Sequence, residues 1–210
     1  MTKVGVSFKH LPTTAVSDAT GGQTNLRSDI KPLADHFKIA GRAVTVRLPD
    51  GENGAVLEAI RAAREGDIIV IDAKGNTNRA VAGDFVLSLA KGIGVQGFVV
   101  DGVIRDIAAI RELDFPVFSL GTTVAAGNKN GGGQVNVPIA IGGVSVRPGD
   151  YIIGDVDGVV VVPQEDAEHI VAAAEVKLEK DDARAQEAHA NGKESIIDYL
   201  DKVLTSSSSS

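Results

Sequence analysis

The residues best suited to chemistry stand together in Asp101-Gly102-Val103-Ile104-Arg105-Asp106. Arg105 offers a planar fork of N–H donors that matches a carboxylate at two points. Asp106 beside it offers hard oxygen of the kind that Mg²⁺ or Mn²⁺ takes. The stretch follows the apolar run Phe98-Val99-Val100 and leads into a helical pattern. In open α/β sheets ligands gather at such a junction, because strand ends and helix N-termini converge there. Taken alone, the same residues also fit a turn followed by two surface charges on a first helical turn, and local sequence favours that plainer account.

Two other stretches invite the same question. Ala82-Gly83-Asp84-Phe85-Val86 opens the preceding helical pattern. Backbone N–H groups at a helix start can receive an anion, and Asp84 could fix a metal-bound water; equally, Asp84 could simply complement the helix dipole. Asn53 lies in Asp50-Gly51-Glu52-Asn53-Gly54, where an Asn suits a turn without further purpose. Other chemistries lack their parts. His10, His36, His169 and His189 show no HxxxH or HxH spacing, Gly131-Gly132-Gly133 is followed by no Lys-Ser/Thr, and no GxSxG elbow occurs. Without cysteine there is no thiol catalysis, disulfide or thiolate metal site. A Schiff base needs a lysine in an apolar site, whereas Lys74, Lys91, Lys129 and Lys180 fall in turns or charged helices.

The elements that would position these residues alternate. A short helix starts at Ala15-Val16-Ser17-Asp18-Ala19, a strand runs from Ile39 to Leu48, a helix from Ala55 to Arg64, and a fully apolar strand from Ile68 to Ile71. Gly83 to Lys91 reads as a helix, Phe98 to Val100 as a buried strand ended by Asp101-Gly102, Arg105 to Glu112 as a helix, and Pro116 to Ser119 as a strand. Strands alternating with helices of about ten residues predict βαβ units and a largely parallel sheet. Gly127 to Gly133 reads as a loop and Val135 to Val162 as β-rich. A long helix follows from Gln164 to about Ala190, then a last one from Glu194 to Leu204, with a charge-dense stretch from Leu178 to His189 suited to docking on a neighbouring subunit. The expected organisation is one catalytic domain over residues 1–163, C-terminal helices over 164–204 and a disordered serine tail over 205–210.

Composition is compatible with this. In 210 residues, hydrophobic types make up 43% and aromatics 4%, with 24 glycines and no Trp, so the core must be Val, Ile, Leu and Ala on strands joined by tight turns. A net charge of −7 argues against a nucleic-acid partner. No apolar stretch reaches the roughly 18 residues needed to span a bilayer, and Met1–Val6 lacks a basic segment followed by an apolar run, so no membrane and a cytoplasmic location are expected.

Order and spacing of these segments, from about Thr13 to Gly192, resemble the 4-hydroxy-4-methyl-2-oxoglutarate / 4-carboxy-4-hydroxy-2-oxoadipate aldolases and their RraA-like relatives. The matching blocks include Ala15-Val16-Ser17-Asp18-Ala19, Gly41-Arg42-Ala43-Val44-Thr45-Val46, Gly66-Asp67-Ile68-Ile69-Val70, Gly83-Asp84 and Asp101 to Asp106. Further on they include Phe115-Pro116-Val117-Phe118, Val135-Asn136-Val137-Pro138, Pro148-Gly149-Asp150 and Gly154-Asp155-Val156-Asp157-Gly158-Val159. The resemblance implies an α/β/α layered single domain of the swivelling, phosphohistidine-domain-like type with a C-terminal helical extension, assembled as a homotrimer or dimer of trimers. It implies a class II pyruvate aldolase that also decarboxylates oxaloacetate through the same pyruvate enolate. Asp106 would ligate Mg²⁺ or Mn²⁺ largely through waters, and Arg105 would grip the pyruvyl carboxylate of a small 2-oxo acid. Backbone groups of Gly83, Asp84, Phe85 and Val86 would cradle it, with Asn53 nearby and Asp84 holding a metal-bound water. A neighbouring subunit would supply an acid, Asp181 or the adjacent Glu179. Glu52, where relatives often carry Asp, and the loop 127–133 depart from the pattern and bear on substrate preference. Two alternatives follow from the resemblance: a non-catalytic RraA-like regulator that binds a ribonuclease, and a lyase of the same mechanism acting on a different 2-oxo acid.

Overall fold

Short runs of Val and Ile bounded by Gly and Asp favour extended chain, since branched side chains pack well on a pleated surface. The computed structural model, which describes residues 6–207, follows that rule. In chain order the elements are α1 (Thr13–Ala19), β1 (Lys31–Pro32), β2 (Ile39–Arg47), α2 (Ala55–Ala62), β3 (Ile68–Ala80), α3 (Asp84–Gly92), β4 (Gly97–Ile104), α4 (Ile107–Leu113) and β5 (Val117–Thr122). There follow β6 (Gln134–Val135), β7 (Ile139–Ile141), β8 (Val144–Val146), β9 (Tyr151–Asp155), β10 (Gly158–Val162), α5 (Ala167–His189) and α6 (Lys193–Ser207). Strands β2 to β5 are parallel and joined by α2, α3 and α4, as the βαβ pattern requires.

The sheet runs β1-β5-β4-β3-β2-β9-β10, with β9 and β10 antiparallel, and it curls until its two ends approach. Residues 24–32 close the gap. Leu26 N–H donates to Val159 O and Val161 N–H to Thr24 O on one side, while Lys31 and Pro32 pair with Ser119 and Phe118 on the other. Lys31 Nζ also reaches Asp157 O at 2.7 Å. The result is an α/β domain with a nearly closed, barrel-like sheet, helices outside and a C-terminal helical extension.

Three apolar clusters follow. Inside the curl lie Ile68, Val70, Val99, Phe118, Ile152 and Val161, plugged by Ile139, Ile141 and Val146 of the β7–β8 hairpin. Outside β2 to β5, helices α2 to α4 bury Val56, Ile60, Leu87, Ala90 and Ile110 against Ile69, Ile71, Phe98 and Val100. On the remaining flank α1 and the start of α5 pack Val16, Ile170 and Ala174 onto Ile153, Val160 and Val162.

The structure corrects several expected boundaries. Strand β3 continues to Ala80 through two register shifts, and β4 runs through Asp101-Gly102 to Ile104 instead of ending there. Helix α4 begins at Ile107, so Arg105 and Asp106 precede it. The long helix begins with a 3-10 turn at Gln164–Asp166. The backbone of Thr205–Ser207 belongs to α6, not to a disordered tail, and residues 208–210 and 1–5 lie outside the described residues. Among the described residues no helix is long and apolar enough to cross a membrane.

Phe98 is fully buried and stacks edge-on against Phe115, with ring centroids 5.8 Å apart. Replacing it with Ala removes that contact beneath α3 and α4. Phe98→Ala is expected to cost about 3–5 kcal/mol in urea unfolding, with a drop in Tm of order 10 °C.

Candidate functional site

The extensions of β3 and β4 beyond the buried core form a rim, and each candidate side chain is placed there by backbone bonds. Val81 N–H donates to Val103 O at 3.0 Å and Arg105 N–H to Ala82 O at 3.1 Å, so the segment entering α3 is laced to the end of β4. Leu87 N–H donates to Gly83 O at 3.1 Å, closing the first turn of α3 and leaving the N–H groups of residues 84–86 ahead of the helix's own ladder.

Gly83 is the point of contact. A Cβ placed there would overlap Asp106 Oδ2 and stand 3.2 Å from both Cγ and Nε of Arg105. Its φ of −137° suits any residue, so glycine is required here for space and not for conformation. Asp106 has φ 64° and ψ 37°, a left-handed conformation that Asp tolerates better than most. In that conformation its carboxylate makes no capping bond to α4 and turns back over the start of α3. Arg105 Nε lies 3.3 Å from Asp106 Oδ2, and both side chains remain about two-fifths exposed. A guanidinium, a carboxylate and a helix N-terminus thus share one open spot. The plain account of two unrelated surface charges does not describe it.

The other expected residues fall as follows. Asp84 is exposed, and its Oδ1 accepts the Phe85 N–H at 2.7 Å, so that member of the N–H group is already engaged. Phe85 projects outward while Val86 packs against the core beneath α3. Asn53 joins the rim from the next turn: its N–H donates to Asn128 O at 3.0 Å, and its amide lies against Gly127, whose N–H donates to Ala80 O. Glu52 accepts two bonds from Asn130, so the loop 127–133 is tied to this turn.

Asp181 and Glu179 are not brought to this spot within the chain. They lie on α5, whose buried face is against α1 and β10. Asp181 binds Lys177 at 3.0 Å and Arg184 at 2.7 Å. Lys177 also reaches Asp18 on α1 at 3.4 Å, and these two carboxylates, Asp181 first, raise its pKa. Beyond Lys74, residues 75–80 carry no motif in the sequence. Their run of Gly, Asn and Thr at the end of an apolar strand was the available signal, and it places Asn76 and Arg79 on the rim.

A divalent ion fits the donor set in one way only. Among the described residues no three His, Cys, Asp or Glu side chains converge, so an all-protein cage is absent. Mg²⁺ and Mn²⁺ accept one or two carboxylates with water filling the other positions. Asp106, which makes no capping bond and is about two-fifths exposed, suits that mode.

A curled, mostly parallel sheet in the centre and an Arg–Asp pair seated on the start of a helix at the carboxyl rim define an α/β protein whose rim presents a guanidinium, a carboxylate and free backbone N–H groups together. The chain belongs to the RraA-like family, described as Aldolase/RraA, which matches residues 13–161. It is 51% identical over 197 residues, 94% of this chain and 93% of the relative, to a protein of Halalkalibacterium halodurans named "Putative 4-hydroxy-4-methyl-2-oxoglutarate aldolase". Among solved structures it resembles the RNA-processing inhibitor RraA from Thermus thermophilis, with a TM-score of 0.67 and 30% identity over 72% of this chain and 92% of that one. It also resembles Streptomyces coelicolor RraAS2, an unusual member of the RNase ES inhibitor RraA family, with a TM-score of 0.75 and 29% identity over 84% and 92%. The family therefore includes proteins named for lyase chemistry and proteins named for inhibition.

Gly83→Ala tests the geometry directly. The methyl group must push Asp106 and Arg105 aside, and a displacement of about 1 Å at a reacting group costs on the order of 10²-fold in rate. A loss of that size in whichever activity the rim carries, with the circular dichroism spectrum and Tm close to wild type, is the expected result.

Proposed function

We propose that this protein is a divalent-metal-dependent carbon–carbon lyase that releases pyruvate from 4-hydroxy-4-methyl-2-oxoglutarate-type 2-oxo acids and decarboxylates oxaloacetate by the same route. The observation that carries the proposal is the Arg105–Asp106 pair seated on the bare backbone of Gly83. Identity with the Halalkalibacterium protein over nearly the whole chain supports it.

Each residue then has a task. Arg105 holds the carboxylate of the 2-oxo acid through its fork of donors, which fixes the bond to be broken. Asp106 and water would hold Mg²⁺ or Mn²⁺, which supplies Lewis acidity toward the 2-oxo group when bound. Backbone N–H groups at the start of α3 and the Arg105 guanidinium stabilise the negative charge left on the pyruvyl fragment as the bond opens. Asp84 holds a water at hydrogen-bonding distance to carry the proton that quenches that charge. Asn53 lines the side of the rim toward the distal part of the substrate.

In the same reading the protein is a homotrimer or dimer of trimers, and α5 and α6 dock on a neighbouring copy to bring Asp181 or Glu179 to its rim. The outward-facing Val176, Ile197 and Leu200 support that role, because an isolated chain leaves them in water. Inhibition of a ribonuclease is the competing reading, favoured by the solved relatives named for that activity.

Pyruvate release is followed with oxaloacetate and with 4-hydroxy-4-methyl-2-oxoglutarate, in Mg²⁺, in Mn²⁺ and in EDTA. Metal-dependent release is expected from at least one substrate, with Arg105→Ala and Asp106→Ala each lowering kcat by roughly 10²–10³-fold while remaining folded. No release from either substrate by a folded, metal-loaded sample would overturn this reading and leave inhibition, or a lyase of the same mechanism on a different 2-oxo acid. A second expectation concerns assembly. Mixing inactive Arg105→Ala chains with inactive chains carrying both Asp181→Asn and Glu179→Gln should restore activity, and a mixture that stays dead rules out a shared site.

A further inference from the structure

Arg79 lies in the irregular extension of β3, one residue before the strand's end at Ala80. The register against β4 shifts between Asp72 and Asn76 and again between Asn76 and Ala80. These shifts carry the Arg79 side chain over the turn that holds Asn53: its Cδ lies 3.1 Å from where a Cβ of Gly51 would stand, and its Nη1 donates to Ala126 O at 3.1 Å. From there an unbroken set of backbone bonds, Gly127 to Ala80, Val81 to Val103 and Arg105 to Ala82, connects Arg79 with Arg105. Gly83 is four positions on from Arg79, at most about 14 Å of extended chain.

Arg79 stands near acids that bond to other groups and keep their charge. Among the described residues no carboxylate pairs with Arg79, as is also true of Arg42, Arg47, Arg61, Arg64 and Arg111; what sets Arg79 apart is its place over the turn that holds Asn53. The acids of the adjoining turn are engaged by amides: Asp50 accepts from Asn76 at 2.5 Å, and Glu52 accepts from Asn130 at 2.9 and 3.0 Å. A guanidinium braced at one nitrogen by a neutral carbonyl keeps most of its five donors and all of its charge for another partner. A guanidinium has donors only and a permanent positive charge, so an anion is the partner it suits best.

We propose that Arg79 binds the carboxylate at the end of the substrate distal to the pyruvyl group and so selects dicarboxylic over monocarboxylic 2-oxo acids. This rests on the lyase reading above. Arg105 and Arg79 then grip the two ends of one substrate, with Asn53 between them on the same rim. The bare Gly51 beneath Arg79 gives its stem room to lie flat, and the bond to Ala126 O limits its swing.

The test compares 4-hydroxy-4-methyl-2-oxoglutarate with 4-hydroxy-4-methyl-2-oxopentanoate, which carries a methyl group in place of the distal carboxylate; both release pyruvate. Wild-type protein should favour the dicarboxylate in kcat/KM. Arg79→Ala should lower that preference by roughly 10- to 100-fold, the range of a charge-assisted hydrogen bond, chiefly through KM, and Arg79→Lys should retain part of it. If Arg79→Ala and Arg79→Lys weaken both substrates equally, or neither, Arg79 only braces the loop and the proposal fails. Exchange of the pyruvate methyl protons in D₂O, followed by NMR with wild-type protein and Mg²⁺, separates the two levels. Exchange with an unchanged preference in the variants sinks the role of Arg79 alone, whereas no exchange and no cleavage sinks the lyase and this role with it.

Discussion

A side chain can lie close against a backbone where that backbone carries no Cβ in the way, and the rim of this protein is organised around one such contact, at Gly83. The bond from Arg105 N–H to Ala82 O draws the end of β4 against the entry to α3, and the carboxylate of Asp106 occupies the volume that any other residue at position 83 would fill. The left-handed turn at Asp106 is the counterpart of that space. It costs backbone energy, and the packing of Leu87, Ala90 and Ile110 beneath the two helices holds it in place. The core is therefore what sets the chemistry of the rim: apolar side chains fix the helices, the helices fix two loops, and the loops fix the charges.

Much of this was legible in the sequence, for a physical reason. Segments buried on both faces, such as Ile68 to Ile71, have no polar residue to mask their type, and helices with a core-facing stripe, such as Ala55 to Ala62, show their period. The βαβ alternation then leaves few topologies. What was not legible depends on tertiary contacts. Asp101-Gly102 has turn composition, yet both residues lie within β4 because β3 pairs with them and β5 resumes its pairing at Val103. Arg105 and Asp106 look like a first helical turn, and only the crowding at Gly83 shows why they are not one. Curling of the sheet follows from the short pairing of residues 24–32 with both of its ends, contacts that no local pattern encodes. Arg79 was invisible for a related reason: its role is set by two register shifts, and its residues resemble an ordinary polar loop.

Charge is distributed with the same economy. Most acids along the rim and the α1–α5 flank are engaged by amides, backbone N–H groups or basic side chains: Asp50 and Glu52 by Asn residues, Asp155 by Thr13, Asp18 and Asp181 by Lys177. The cluster around Lys177 ties α5 to α1, and the His10–Glu175 pair at 2.9 Å adds a second tie. Past Leu178 the helix leaves the body of the molecule and continues into α6 with little of either helix buried. The extension thus has a firm root and a solvent-facing end.

The seam of the barrel has a consequence for how the chain reaches this shape. Lys31 and Asp157 are 126 positions apart, and Leu26 meets Val159 across a similar interval. The parallel units from β2 to β5 can assemble from neighbours in sequence, while the seam must wait for β10 to exist before residues 24–32 can bridge it. Closure of so long a loop is entropically costly and slow. During synthesis the N-terminal segment therefore leaves the ribosome long before its partner does, and until then the apolar interior of the curl stands open to other chains.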